Sequence, residues 1–580
     1  MLDRLPTVPI LFRKDGDPRV KYAVPYKLEA PMSGVRLTGG RYKAVFDNNI
    51  RFLKGFDLDR MLYWYRVHKG KPAPGVPYAG DAGHFENNLK GQTAGEFLMG
   101  AGTALLWQED AELRAMVRAL LKEMEACRDD DGFIIPIPRE QFSTKEYPNY
   151  TRAWITFGLL DAGYAGEARA FDLARDMADC FNRSSVLPYV KDLNLGFQGI
   201  LANTRMYDAP NGKKEDVDTA IRYYQETWWL EQLIAGDHRA IYDHPGNHPH
   251  STLLTTLEGY CDLYRATGEE LYLQAVRAAL RMYEDKWQHV GGGINMCEFD
   301  SYYPGCNWLD PKHHYNELCS TNFWVLLNQR MHRLEPENAH YVDEMENSIY
   351  NVLFASQVGD RGFHYLNYLQ RTKDYRYLDR ATCCASLGTR LVGLLPQFLY
   401  SYTEDSVYVD MYASSTAALP NGVHLSVASG LPDNGRVVVR VERADHPFTL
   451  KLRVPRWACM DGQSHYVAHE GVKAGDTFTL DFPFRFRATR YTGGDEIKYH
   501  ERYALEYGPL LYAAMGAPNP LTVRFDPNHP EEWFEPVRNM LPGRASLRFR
   551  LKGDSCHEYW PYMDIHDEPF DVYPIVEPVE

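Results

Sequence analysis

The sequence contains no run of about eighteen apolar residues, so no transmembrane helix and no membrane partner are expected. It also lacks a basic excess. Lys and Arg number 63 against 78 Asp and Glu, a formal net charge of −15, and nucleic-acid binding needs a basic footprint. Cysteine is sparse. Ten residues are spread along 580, which disfavours a disulfide scaffold and fits a reducing compartment with a metal or catalytic use. The opening residues, Met1-Leu2-Asp3-Arg4-Leu5-Pro6, have neither the charged start nor the apolar run of a signal peptide, and a cytoplasmic location is the expectation. No short, fixed repeat period recurs, which argues against a regular solenoid.

What is present is apolar and aromatic. Hydrophobic residues make up 44 % and aromatics 13 %, with 40 Tyr and 11 Trp. That composition supports a large packed core. Aromatic-rich clefts also suit sugar faces, and a Tyr-rich core and surface would explain the same numbers. The length allows about three to four domains, or one large toroid with a smaller domain.

Residues 1–35 are Pro-rich and partly alternating, an extended segment that could lend a strand to a later sheet. From 36 to 403 paired helices recur. Leu98 to Cys127 turns at Gln108-Glu109-Asp110, and Gly158 to Phe181 turns near Gly166. Thr252 to Trp287 turns at Thr267-Gly268-Glu269-Glu270, and Phe323 to Phe354 turns at Glu335-Pro336-Glu337-Asn338. Each reads as an antiparallel helical hairpin. The length fits six or seven such hairpins closed into an α/α toroid, with long loops building a cleft at one rim. From 404 to 515 short alternating strands such as Val437-Val438-Val439-Arg440-Val441 predict a β-sandwich. Residues 516–580 read as loops and a few strands packed back on the body.

Two short stretches carry chemistry. Glu317-Leu318-Cys319 and the vicinal pair Cys383-Cys384 together offer three thiolates and one carboxylate, a full tetrahedral set for zinc. Neighbouring side chains diverge in regular structure, so the pair suggests an irregular turn bent around something. A vicinal disulfide or two buried core thiols would explain it equally, since the spacing is not that of a zinc finger. Upstream, a loop begins at Gly291-Gly292-Gly293 and carries Glu298, either a candidate general acid or an ordinary solvated carboxylate.

At these residues the sequence resembles glycoside hydrolase family 127. The resemblance rests on Tyr315-x-Glu317-x-Cys319 followed by a long helix, and on Cys383-Cys384. It is supported by Leu89-Lys90-Gly91, Tyr150-Thr151, Gly158-Leu159-Leu160-Asp161, Leu452-Arg453-Val454-Pro455-Arg456-Trp457-Ala458 and Tyr507-Gly508-Pro509-Leu510. It implies an (α/α)6 barrel followed by β-sandwich domains, and a retaining β-L-arabinofuranosidase-like activity on a carbohydrate substrate. It assigns Glu317, Cys319, Cys383 and Cys384 as Zn2+ ligands, Cys383 as the nucleophile and Glu298 as the acid/base, with a longer spacing from Glu298 to Glu317 than the family shows. The family's sugar-binding histidines are missing from Gly91-Gln92-Thr93-Ala94-Gly95-Glu96 and Tyr150-Thr151-Arg152-Ala153-Trp154. Gln92, Glu96, Tyr315, His248 and His250 are the substrate-contact candidates, and either histidine could instead cap the helix that follows. Polar groups that grip a hydroxyl set specificity strongly, so the substrate need not be a plain arabinofuranoside.

Two readings from other classes stand beside this one. One is a sugar epimerase or lyase on the same toroid, moving a proton with His248 or His250. The other is a carbohydrate-binding protein whose fully ligated zinc is structural. A homodimer is left open.

Overall fold

The computed structural model describes residues 21–82, 89–139, 147–183, 198–222, 227–242, 250–295, 309, 316–373, 375, 381–537, 547–553, 556–577 and 579. A helical domain comes first and a strand-rich region follows.

The helical domain is built from alternating inner and outer helices. In chain order they are α1 (Gly40–Lys54), α2 (Gln92–Leu105), α3 (Ala111–Ala126), α4 (Tyr147–Tyr164), α5 (Ala168–Arg183), α6 (Gln198–Asp208), α7 (Lys214–Arg222), α8 (His250–Thr267), α9 (Glu270–Lys286), α10 (Leu318–Leu334), α11 (His340–Ser348) and α12 (Cys383–Leu394). The even-numbered helices pack in sequence, α2 on α4, α4 on α6, and onward until α12 returns to α2. Each is backed by an odd-numbered helix, α1 covering α12. The four hairpins expected from periodicity appear as α2/α3, α4/α5, α8/α9 and α10/α11. Composition explains the two layers. Every residue of α2 is buried, whereas α3 buries one stripe, Leu113, Val117, Leu120, Leu121 and Met124.

Close approach within the ring depends on glycine. A Cβ on Gly158 of α4 would sit 2.4 Å from Gly95 O of α2, and one on Gly95 would sit 2.6 Å from Trp154 O. No side chain fits between these helices at that contact.

Charge links the ring deeper down. Asp161 of α4 accepts from Arg205 of α6 at 2.6 Å and from Arg390 of α12 at 2.8 Å. Arg330 of α10 donates to Glu258 of α8 at 2.5 Å and to Asp262 at 3.2 Å, and Thr204 of α6 donates to Asp262 at 3.2 Å. Burial pushes the Glu258 carboxyl up to about 7, and the Arg330 guanidinium opposes that rise.

The segment before α1 crosses the C-terminal ends of α8 and α10. Tyr26 lies between the guanidinium groups of Arg265 and Arg333, at 3.6 and 3.7 Å from its ring centre. Further on, β1 (Val35–Leu37) pairs antiparallel with Ser415–Ala417. The lead-in is therefore shared between the helix ends and a later sheet.

The strand-rich region holds three main sheets. A five-stranded sheet contains β1 and the strands Ser415–Ala418, Val423–Ser429, Arg436–Ala444 and Thr477–Asp481; a four-stranded sheet contains Tyr400–Tyr402, Ser406–Val409, Phe448–Val454 and His465–Val472. The third sheet changes the expected organisation. Phe486–Arg490, Tyr503–Tyr507 and Leu510–Met515 pair with strands from the last seventy residues, down to Phe570–Asp571, and not with the strands before them. The break in sheet membership falls between Asp481 and Phe486 rather than at 515. Strand pairing is non-local, and alternation within a strand does not say which sheet receives it.

Buried ion pairs fasten the strands to the helices. Arg453 donates to Asp343 at 2.6 Å and contacts Glu346 at 2.7 Å, and Trp457 Nε1 donates to Glu346 at 2.9 Å. Leu511 N donates to Asn351 Oδ1 at 2.8 Å, and Asn351 Nδ2 donates back to Pro509 O at 3.1 Å. The sequence blocks around Arg453 and Pro509 are thus docking elements. Among the described residues no helix is long and apolar enough to cross a membrane.

Candidate metal centre

Two helix N-termini meet at one point. Glu317 ends a short strand, β2 (Asn316–Glu317), and is the N-cap of α10, with Cys319 two residues inside. The strand is held by antiparallel pairing to Leu366–Asn367 and by a bridge from Asn316 to Asn295. Opposite it, Thr382 caps α12, its hydroxyl accepting from Ala385 N at 3.2 Å, and Cys383 and Cys384 open the helix.

The vicinal cysteines therefore do not sit on an irregular turn. They flank the open end of a helix, where two neighbouring side chains reach one point beyond the axis. The unpaired N–H groups and dipoles of both helices favour anions there, which suits thiolates and a carboxylate.

The ligand atoms of Glu317, Cys319, Cys383 and Cys384 all lie within 4.8 Å of one another. Cys384 Sγ is 3.2 Å from Cys319 Sγ and 3.8 Å from Glu317 Oε1. All three thiols are free, and only Cys383 of the three is partly exposed. The Ser320 hydroxyl donates to Glu317 Oε2 at 2.6 Å, which turns the other oxygen toward the sulfurs. Three sulfurs and one carboxylate in a buried site form a donor set that fits zinc. Hydrogen bonds with Cys319 and then Cys384 hold the Cys383 thiol well below its ordinary range, and the hydroxyls of Tyr365 and Tyr150 add to this. Burial pushes Cys319 and Cys384 up.

The wall beside Cys383 comes from α2 and the short helix Ala79–Ala82 before it. Gly80 approaches the residue preceding Thr382 so closely that a Cβ would lie 2.3 Å from Ala381 O. Gln92 Nε2 donates to Gly80 O at 3.2 Å, leaving Oε1 buried without a donor. Both oxygens of Glu96, one turn along, are buried without a donor at hydrogen-bonding geometry. Burial raises the Glu96 carboxyl well above its usual range, and negative charge at Asp81 and Cys383 raises it further. Asp81 accepts from the Thr93 N–H at 3.0 Å and the Thr93 hydroxyl at 2.8 Å, while its second oxygen has no donor. The Tyr365 hydroxyl stands 3.5 Å from Cys383 Sγ. A carboxyl raised in this way keeps its proton, so the wall sets an O–H donor beside open acceptors, a match for ligand hydroxyls that both donate and accept.

Of the sequence candidates, the four ligands come together and Gln92 and Glu96 stand beside them. Glu298, Tyr315 and His248 lie outside the described residues. His250 opens α8, and its side chain is likewise outside them. The sequence did not single out Asp81 or Tyr365, which lack any motif. Tyr150 stood in a recognised block without a role.

Known proteins share the fold that builds this site. The beta-L-arabinofuranosidase GH127 catalytic domain matches residues 34–397, and the GH127 middle domain matches residues 406–479. No curated protein sequence matches the chain. Among solved structures, a GH127 β-arabinofuranosidase superposes with a TM-score of 0.75 at 18 % identity, covering 95 % of this chain and 98 % of that one. A GH127 β-L-arabinofuranosidase from Geobacillus stearothermophilus T6 gives 0.73 at 16 % identity, over 94 % of this chain and all of its own. A further structure described as a glycoside hydrolase gives 0.68 at 15 % identity, with coverage of 95 % and 98 %.

Proposed function

The chain belongs to the β-L-arabinofuranosidase family GH127 and is a glycoside hydrolase of that family, and from this membership we propose a zinc-dependent, retaining enzyme that removes a terminal L-arabinofuranose or related plant-type sugar. In this reading the closed ring of helices over 36–403 is an (α/α)6 barrel, and the sheets from Tyr400 to Asp481 are a β-sandwich. The observation that carries the mechanism is the convergence of four ligand atoms within 4.8 Å, with Cys383 alone among the three thiols partly exposed.

Glu317, Cys319, Cys383 and Cys384 would hold the ion. Zinc bound there keeps the Cys383 sulfur as a thiolate at neutral pH. Cys383 Sγ attacks the anomeric carbon; the C–S bond forms as the glycosidic C–O bond breaks. Glu298 donates its proton to the departing oxygen. It then takes a proton from water, whose oxygen attacks the same carbon and releases Cys383. Two inversions give net retention. The Tyr365 and Tyr150 hydroxyls steady the thiolate. Gln92 accepts from a sugar hydroxyl and the Glu96 carboxyl donates and accepts, with Tyr315, His248 and His250 as further contacts.

The base of the ring sets the side from which substrate enters. Arg330 lies eleven residues into α10 from Cys319, about 16 Å deeper at 1.5 Å per residue. The buried ion pairs at that level, and Tyr22–Leu28 across the helix ends beyond, leave the N-terminal rim as the entrance.

The test is a panel of 4-nitrophenyl glycosides including α- and β-L-arabinofuranosides, with the first-formed anomer followed by NMR. A retained β configuration is expected. An inverted product would sink the mechanism, and no turnover on any furanoside would sink the substrate assignment.

A further inference from the structure

Away from the metal centre, a cleft of about 550 Å³ opens where the helical domain meets the strand-rich region. Its walls include Glu284 at the end of α9, Gln288 and His289 just beyond, Arg456 from the block that docks on α11, and Arg487 and Tyr491 on the edge of the third sheet. None of the metal-centre residues lines it. The volume lies within the range of ligand pockets, and junctions between structural units are where such pockets form.

The charges of this cleft are already neutralised. Arg456 Nη1 donates to Glu344 at 2.7 Å, Arg487 Nη2 donates to Glu506 at 2.9 Å, and His340 pairs with Glu284 at 3.0 Å. Gln288 donates to the second oxygen of Glu344. An anion would have to displace these carboxylates, so a phosphate or nucleotide suits the cleft poorly. What the walls offer is guanidinium and amide donors beside carboxylate acceptors. Such alternation meets adjacent hydroxyls, each of which both donates and accepts. The rings of His289 and Tyr491 are nearly parallel, 11° apart at 6.5 Å, and lie buried behind this wall, so recognition falls to the polar groups. Sugars present adjacent hydroxyls of this kind along their edges.

We infer that this cleft is a second carbohydrate site, holding a neutral oligosaccharide stretch away from the bond being cleaved. The choice of ligand rests on the proposed action on carbohydrate, but the binding is independent of catalysis.

Calorimetry on the zinc-loaded full chain tests it, using a sulfur-linked arabino-trisaccharide that resists hydrolysis. Tri-galacturonate and inorganic phosphate form separate arms. Thr489 lines the cleft from an exposed strand position, so Thr489→Trp fills the space without entering the core. Gln288→Ala serves as a second variant. The native protein is expected to bind the trisaccharide at two sites. Both variants should retain native melting and lose one site or weaken it at least tenfold, with kcat/KM on a small aryl glycoside unchanged. Equal binding by native and variants overturns the proposal, as does tighter binding of phosphate or galacturonate. Loss of binding in Thr489→Trp with no aryl glycoside hydrolysed by any form would leave the cleft standing and overturn the hydrolase reading instead.

Discussion

Cys319 Sγ and Cys384 Sγ stand 3.2 Å apart, although 65 residues separate them in the chain. A disulfide would bring them to about 2.05 Å. Two sulfurs on one tetrahedral zinc, each at about 2.3 Å, lie about 3.7 Å apart. A small outward movement of both sulfurs therefore admits the ion, and one zinc per chain is expected by metal analysis of chelator-free protein. Cys384→Ser should lose most of that zinc and much of the thermal stability. Cys383→Ser should keep the fold while turnover falls by about a thousandfold or more. A covalent label aimed at the anomeric centre should appear on Cys383; finding it on Cys384, Glu298 or Glu317 would reassign the nucleophile.

Glu298→Gln separates acid catalysis from binding. Turnover of substrates with poor leaving groups should fall by about a hundredfold or more, and of nitrophenyl glycosides much less, because a good leaving group needs little protonation. Equal losses across leaving groups would show that Glu298 has another task.

The buried polar groups on α2 predict a specificity effect. Glu96→Gln replaces the carboxyl O–H, which can donate and accept, with an NH2 that only donates, and Gln92→Ala removes the free amide oxygen. Each should raise KM by about tenfold or more on the full glycone. Each should matter little for a deoxy glycone lacking the matched hydroxyl. An unchanged ratio between the two substrates would place these residues outside sugar recognition.

Gly158→Ala tests the contact between α2 and α4. The added methyl meets Gly95 O at 2.4 Å, so the helices must separate. A loss of about 1–3 kcal/mol is expected, read as a lower denaturation midpoint. A neutral result would mean that the inner ring tolerates spreading at its tightest point.

Asp81 predicts a pH effect on stability. Burial raises its carboxyl from 3.8 to about 7, with the Thr93 donors opposing. The folded state binds this proton more tightly than the unfolded state, so the stabilisation is full below pH 3.8 and is lost as pH rises through about 7. Asp81→Asn should remove this decline, gaining melting temperature over native at pH 8 and not at pH 4. Parallel melting curves for both proteins across that range would rule out a buried, protonated Asp81.

Much of the helical domain was legible because helical periodicity is local. Apolar residues three and four apart mark α3 as amphipathic, and the turn at Gln108-Glu109-Asp110 falls between the end of α2 and the start of α3. Asp110 supplies the cap there, accepting from Leu113 N at 2.9 Å. The pair α6/α7 was missed. Its helices are short, eleven and nine residues, and leave too few turns for a clear apolar stripe.

Residue chemistry by itself offered the ligand set, level with a disulfide or core thiols, and the family resemblance tipped that balance toward a metal. Tertiary structure alone decided how they meet. The expected irregular turn at Cys383-Cys384 is a helix N-terminus, because only packing of α12 against α10 brings two such ends together. Asp81 and Tyr365 became part of the site for the same reason: nothing near them in sequence marks them, and the fold carries them to Glu96 and Cys383. Strand sorting had the same origin. The strand Phe486–Arg490 alternates like those before it, yet pairing joins it to Tyr503–Tyr507 in a sheet completed by the last residues of the chain. Periodicity comes from neighbours along the backbone, whereas a site or a sheet is assembled by hydrogen bonds and contacts between residues hundreds of positions apart.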